Sequence, residues 1–265
     1  MKLMVKYICL SGKKRKNLSE AKSPFNRSVE VSIILPTYNE EKNIGEIVKQ
    51  LREQFKGESY EIVILDDNSK DKTPKIIDKL AEKSDILAIH RYDKKGYWSA
   101  YQDAISLSHG KYILTMDSDL SHPPKTAFFL YQNRKKADII SGSRYMKSGG
   151  MEAPFFRKYG SEWLNKVCAI IAGLPYTDIA GDFHVMEKSK FNKLKFRYTP
   201  VFGEFDFEWL YRAKKLGFSN LEIPFTYKFR EEGESAMGSG GADALKLMKF
   251  ALAYVKMALK LRFIG

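Results

Sequence analysis

Only two cysteines, Cys9 and Cys168, occur in 265 residues, far apart and without metal-ligand spacing. That excludes a disulfide framework and a structural zinc site, and it leads to the expectation of a reduced, intracellular-facing compartment. No run approaches the roughly 18 apolar residues of a spanning helix. The opening "MKLMVKYICL" is too short and too interrupted for a signal peptide, and no small-residue cleavage site follows it. The expectation is therefore a chain neither secreted nor transmembrane. The four histidines, His90, His109, His122 and His184, share no spacing for metal binding, and no catalytic dyad is evident. His122 alone invites inspection, because it follows a pair of aspartates. Nothing matches GxxxxGK[ST], and no GxGxxG follows the first predicted strand, which disfavours P-loop and ordinary dinucleotide sites.

Positive charge, by contrast, is plentiful. The formal net charge is +13, concentrated at the two ends. Lys2, Lys6, Lys13, Lys14, Arg15, Lys16, Lys22 and Arg27 face a lone Glu20 at one end, and Lys246, Lys249, Lys256, Lys260 and Arg262 face Asp243 at the other. Basic ends on a more balanced body point to a polyanionic surface, either lipid head groups or nucleic acid. A hydrophobic content of 44% supports one sizeable α/β domain with attached flanks. The polar, aperiodic stretch after the first ten residues gives a basic flexible arm over 1–28, then a folded domain over 29–240 and a basic amphipathic helix over 241–265.

Within the domain, "EVSIILPTYN", "YEIVILDD", "DILAIHRY", "KYILTMDSD" and "ADIISGSRY" read as short apolar strands. Helical patterns separate them, such as Ile44, Ile47, Val48 and Leu51 in "EEKNIGEIVKQLREQF". Strand and helix in alternation predict βαβ units and a mostly parallel sheet covered on both faces. "SEWLNKVCAIIAGL" and "VFGEFDFEWLYRAKKLG" predict two further helices.

In such a sheet, ligands bind beyond the carboxyl ends of the strands. The predicted strand ends carry "PTYNEE", Asp66 with Asp67, Asp93 with Lys94 and Lys95, Asp117 with Asp119, and Ser143 with Arg144. Acidic pairs crowded on one edge cost energy unless cations enter. Asp117 and Asp119, two residues apart, can reach one hard divalent ion and the phosphate oxygens it bridges. A nucleoside diphosphate held through a metal is the remaining obvious ligand.

The ordered motifs "SIILPTYNEEKNI", "VILDDNSKDKT", "MDSDLSHPP", "SGSRY", "EFDFEWLYRAKKLGF" and "IPFTYKFREEGES" resemble the inverting GT-A glycosyltransferases of family two over roughly residues 30–238. Within it they are most similar to the dolichyl-phosphate mannosyltransferase and polyprenyl-phosphate hexosyltransferase branch. The resemblance implies a GT-A fold. It also implies a nucleotide pocket lined by Pro36, Tyr38, Glu40 and Asp67, with Mg2+ or Mn2+ held on the donor diphosphate by Asp117 and Asp119. Arg144 and Arg230 would contact phosphates, Glu208 would stand near the acceptor, and Ser235 would sit in a mobile loop. The implied donor is GDP-mannose or UDP-glucose, the acceptor dolichyl or polyprenyl phosphate, and the seat the cytoplasmic face of a membrane. Several positions depart from the family pattern. Ser121 replaces a metal-site Gln, "DIAGDFH" replaces "DxxSGFR" at Gly181, Asp182 and His184, Ala236 replaces a Lys, and Trp98 a Gly.

An acceptor phosphate is already an anionic nucleophile, so no strong base is required. Guanidinium forks at Arg144 and Arg230 suit two repelling phosphates. The lysine stripe of the C-terminal helix, amid Leu, Met, Phe, Ala and Val, predicts a helix lying in a membrane interface; docking on its own domain or on a partner subunit is the alternative. A soluble or polysaccharide acceptor, and a nucleic-acid module on a degenerate transferase fold, are competing readings, the second set aside in favour of no nucleic-acid partner.

Overall fold

The computed structural model describes residues 7–10, 28–83, 85–92, 96–198, 203–228 and 244–265. The strands are β1 (Tyr7–Leu10), β2 (Val31–Thr37), β3 (Tyr60–Asp66), β4 (Ile86–Arg91), β5 (Tyr112–Thr115), β6 (Ile139–Ser143), β7 (Gly150–Met151), β8 (His184–Glu187), β9 (Asn220–Pro224) and β10 (Thr226–Tyr227). The helices are α1 (Ile44–Gln54), α2 (Thr73–Leu80), α3 (Tyr97–Leu107), α4 (Pro124–Gln132), α5 (Phe155–Ala172), α6 (Lys188–Phe191), α7 (Phe205–Lys215) and α8 (Ala244–Phe263). Eight strands form one sheet in the order β1-β4-β3-β2-β5-β8-β6-β9, and β10 pairs with β7 in a small ribbon. Every pairing in the large sheet is parallel except those of β8 with β5 and β6.

Residues 31–37 and 60–66 are buried at every position, as expected where helices cover both faces. Alternate side chains then separate into two cores. Ile34, Val63, Leu65 and Ile113 join Trp98, Trp209 and Leu261 on one side. Ile33, Leu35, Ile62 and Leu114 join Ile44, Leu51, Ile77 and Leu130 on the other. At the end of α5, Gly173 takes a left-handed conformation, φ 67°, that closes the helix.

Two expectations change here. The arm expected over 1–28 contributes β1, which extends the sheet by pairing with β4; the basic residues around it hide a four-residue strand. The C-terminal helix is docked on its own domain. Tyr254, Met257, Ala258 and Leu261 are buried, α8 packs against α5 and α7, and the Tyr254 ring meets Phe207 edge-on at 4.8 Å. A helix spacing of three and four residues explains that buried stripe.

Gly110, in the turn between α3 and β5, has no room for a side chain, since a Cβ there would lie 2.4 Å from the Ser32 backbone nitrogen. Gly110→Ala is expected to cost about 1–3 kcal/mol through overpacking, measured by urea denaturation. An unchanged midpoint would contradict the tight approach.

Candidate active site

The parallel strands bring their carboxyl ends to one edge, and antiparallel β8 brings its beginning to the same place. The loop after β2 is fixed to the loop after β3: Asp67 N–H donates to the Thr37 carbonyl at 2.9 Å, and Asn39 N–H to Ser69 Oγ at 2.9 Å. Asn39 and Asn68 both adopt positive φ, 55° and 67°, a conformation asparagine tolerates better than most residues. Pro36 is held through its carbonyl, which accepts from Ser118 Oγ at 3.0 Å. Tyr38 is 40% exposed beside it. Glu40 is buried, its carboxylate accepting from Asn43 Nδ2 at 2.7 Å. Of the four residues expected to line a nucleotide pocket, Pro36 ends β2 and Tyr38, Glu40 and Asp67 lie on two joined loops.

Asp67 has a partner that the sequence reading missed. Arg91, at the end of β4 and fully buried, donates to Asp67 Oδ1 through Nε at 2.7 Å and Nη2 at 2.5 Å. Its Nη1 reaches Asp103 at 3.2 Å and Ser99 Oγ at 2.9 Å, and Gly96 N–H also donates to Asp67. An arginine closing an otherwise apolar strand was the available signal.

Asp117 and Asp119 follow β5. Tyr97 Oη donates to Asp117 Oδ1 at 2.5 Å, and Asp117 N–H donates to His122 Nδ1 at 3.0 Å. His122 therefore carries its proton on Nε2, 3.9 Å from Asp117 Oδ2. Burial holds His122 below the ordinary imidazole range, so it is a neutral brace, stacked on Phe183 at 4.4 Å. Ser121, where the family has Gln, donates to Asp119 Oδ1 through Oγ at 2.5 Å and N–H at 3.0 Å. The serine orients the second carboxylate by a short local bond in place of a longer amide.

This donor set suits a hard divalent cation. Both side chains offer carboxylate oxygens, and Asp117 keeps 27% of its side chain exposed. Among the described residues no group of three His, Cys, Asp or Glu forms a closed cage. An ion held by two aspartates retains positions for phosphate oxygens and water, the coordination habit of Mg2+.

Other expected residues are placed differently. Arg144 does not project as an open phosphate fork. Its Nε and Nη2 grip Asp178 at 2.7 and 2.8 Å, and Nη2 also donates to the Ala180 carbonyl. Burial pushes the Asp178 carboxyl up, but the guanidinium outweighs it and holds it below its usual range. Glu208, expected near the acceptor, is fully buried on α7. It accepts from Arg212 at 3.0 Å and from the backbone N–H groups of Arg197 and Tyr198 at 2.7 and 3.2 Å. It fastens a loop to the helix, because its oxygens are occupied inside the fold. Arg230 and Ser235 lie outside the described residues.

His184, where the family has Arg, donates or accepts at Ser141 Oγ, 2.8 Å, and sits 2.6 Å from Asp206 Oδ1. Asp206 Oδ2 accepts the Gly181 and Asp182 N–H groups at 3.0 and 3.2 Å. The departures in "DIAGDFH" thus build a connected polar wall beside the aspartate pair. Burial, then the charges of Asp206 and Asp117, hold the Asp182 carboxyl well above its usual range.

The carboxylate pair lies where parallel β5 meets antiparallel β8, beside the joined loops that follow β2 and β3. The chain belongs to glycosyl transferase family 2, whose model matches residues 32–216. It is 33% identical over 216 residues to dolichol-phosphate mannosyltransferase of Pyrococcus furiosus, covering 79% of this chain and 59% of that one. It is 30% identical over 222 residues to polyprenol monophosphomannose synthase of Mycolicibacterium smegmatis, covering 80% of this chain and 83% of that one. The fold also matches glucosyl-3-phosphoglycerate synthase from Mycobacterium tuberculosis with Mn2+, UDP-glucose and glycerol 3-phosphate, at TM-score 0.62, 16% identity, and coverage of 88% and 80%. Mannosyl-3-phosphoglycerate synthase from Rubrobacter xylanophilus matches at TM-score 0.63 and 14% identity, with coverage of 88% and 73%. The chain is an enzyme of the GT-A glycosyltransferase superfamily.

These structures correct the expected acceptor. Dolichyl or polyprenyl phosphate was implied by the resemblance, whereas structures of glucosyl-3-phosphoglycerate synthase hold phosphoglyceric acid or glycerol 3-phosphate, which are soluble. The docking of α8 on the domain removes part of the apolar stripe that had supported the lipid reading.

Two outcomes follow from the charge pairs. Arg91→Ala strands Asp67 and is expected to cost about 3–5 kcal/mol in urea denaturation; a loss under 1 kcal/mol would contradict the pairing. His90 lies 3.4 Å from Asp66 and 2.9 Å from Asp78, and these carboxylates, Asp66 first, raise its pKa above 6.5. Its contribution is fully present below about pH 6.5 and is lost as pH rises through the raised value. His90→Asn should flatten the fall in urea midpoint across that window, and an unchanged pH slope would count against it.

Proposed function

We propose that the protein transfers a hexose from a nucleoside diphosphate sugar to a soluble phosphorylated acceptor, with inversion and dependence on a divalent metal. The observation that carries this is the aspartate pair, Asp117 braced by Tyr97 and His122 and Asp119 by Ser121, beside the pocket of Pro36, Tyr38, Glu40 and Asp67. Mg2+ or Mn2+ bound to the pair supplies charge neutralisation on the departing diphosphate. The chain's own residues supply alignment. The two aspartates would hold the cation, Asp67 with Arg91 shapes the base pocket, and Arg144 with Asp178 holds the β6 end where the acceptor approaches. Attack from the face opposite the diphosphate inverts the anomeric carbon. The Mn2+, UDP-glucose and phosphoglycerate found in fold relatives support the donor class and the soluble acceptor.

Peripheral contact with a membrane rests on a separate surface. The mutually packed helices α5 and α8 leave Phe155, Phe156, Trp163 and Ile170, and Met248, Leu252 and Phe263, exposed, with Lys166, Lys249 and Lys256 exposed among them. Among the described residues no helix is long and apolar enough to cross a membrane, so the contact would be superficial. Phe156→Ser with Trp163→Ser should abolish co-sedimentation with anionic vesicles; equal sedimentation of the double variant would remove this surface from the account.

The transferase reading is tested with labelled GDP-mannose and UDP-glucose, with and without Mn2+, against phosphoglycerate, glycerol 3-phosphate and polyprenyl phosphate. Metal-dependent label in a water-soluble product, reduced about 100-fold or more by Asp119→Ala, is the expected result. Label confined to the polyprenyl phosphate would overturn the acceptor, and no metal dependence would overturn the site.

A further inference from the structure

Helix α3 touches both halves of the site. Its start is fastened to the acid of the base pocket: Gly96 N–H donates to Asp67 Oδ2 at 3.3 Å, and the Gly96 carbonyl accepts from Arg91 Nη2 at 3.1 Å. Arg91 grips the same helix twice more, at Ser99 Oγ, 2.9 Å, and at Asp103, 3.2 Å, while Nε and Nη2 hold Asp67. Ser99 Oγ in turn donates to the Gly96 carbonyl at 2.8 Å. Asp67, Arg91 and the first turn of α3 thus form one hydrogen-bonded body.

The next residue, Tyr97, belongs to the metal half. Its Oη donates to Asp117 Oδ1 at 2.5 Å and lies 3.3 Å from Tyr101 Oη. Its ring meets Tyr101 edge-on at 5.1 Å and Phe205 at 5.7 Å, which fixes the phenol from behind. His122 accepts from the Asp117 backbone, whereas Tyr97 bonds the carboxylate itself. One planar peptide bond separates the residue tied to Asp67 from the residue that orients Asp117, so a shift of Gly96 is passed to Tyr97.

We propose that Tyr97 is a positioning residue for Asp117, and that through α3 an occupied base pocket strengthens metal capture, separately from any bond between diphosphate and ion. This rests on the transferase reading of the site. A base seated against Asp67 and Arg91 fixes the start of α3. Tyr97 then holds Asp117 Oδ1 in place, and less ordering of the carboxylate remains when a cation is taken up. Such coupling is reciprocal: metal at the aspartate pair strengthens binding of the base by the same factor.

A nucleoside carries the base and offers the ion no phosphate, so it isolates this path. Titration calorimetry of Mn2+ into the full chain is compared with and without saturating uridine or guanosine, and again with UDP or GDP. In the wild type the nucleoside should tighten Mn2+ binding about 5-fold or more. Tyr97→Phe keeps the ring against Tyr101 and Phe205 and deletes only the hydroxyl; it should bring that gain to within about twofold. Ser121→Ala, which loosens Asp119 and leaves α3 alone, should weaken Mn2+ binding and keep the gain. Wild-type affinity that neither nucleoside changes overturns the link, as does a gain that Tyr97→Phe leaves intact or that Ser121→Ala abolishes equally. Failure of UDP and GDP to bind together with Mn2+ would instead defeat the transferase reading, and the link with it.

Discussion

The constraint behind the whole site is the crowding of aspartates on one edge of a buried sheet. Asp66, Asp67, Asp117, Asp178, Asp182 and Asp206, drawn from distant parts of the chain, are each reached by another group or by a neighbouring charge. Like charges brought together in low dielectric repel strongly unless each is matched. The chain matches them individually: Arg91 for Asp67, Arg144 for Asp178, His184 for Asp206 and Tyr97 for Asp117. Asp117 and Asp119, each already holding a hydrogen bond, still offer carboxylate oxygens suited to a divalent cation.

The arginines do other work than holding phosphates as open forks. Arg144 and Arg91 spend their guanidinium groups on neighbouring carboxylates, fixing the loops that carry the site. The family-2 architecture is kept, while Ser121, Asp182 and His184 change how its acidic edge is satisfied.

The parallel half of the fold was legible because buried strands such as "SIILP" and "IVIL" are apolar without alternation, and Asp117 and Asp119 were legible from their spacing. β1 was hidden by the basic residues around it, and β8 by its brevity and by the charged turn after it. The membrane reading of α8 failed in part because periodicity reports an apolar face without naming what covers it. The partners of Arg144, Glu208 and Arg91 are set by contacts between 4 and 36 residues apart in the chain, a kind of information that strand and helix patterns do not carry. Asp182 was visible as a departure from a motif, but its bond through the backbone to Asp206 is set by a contact distant in the chain.

The central claim is that the aspartate pair completes a metal site only together with the donor diphosphate. Titration calorimetry of Mn2+ into the full chain, with and without saturating nucleoside diphosphate, measures it directly. The account predicts weak binding alone and at least about 100-fold tighter binding with the diphosphate, equivalent to about 2.7 kcal/mol. Equal Mn2+ affinity in both titrations, or diphosphate binding indifferent to chelator, would contradict it.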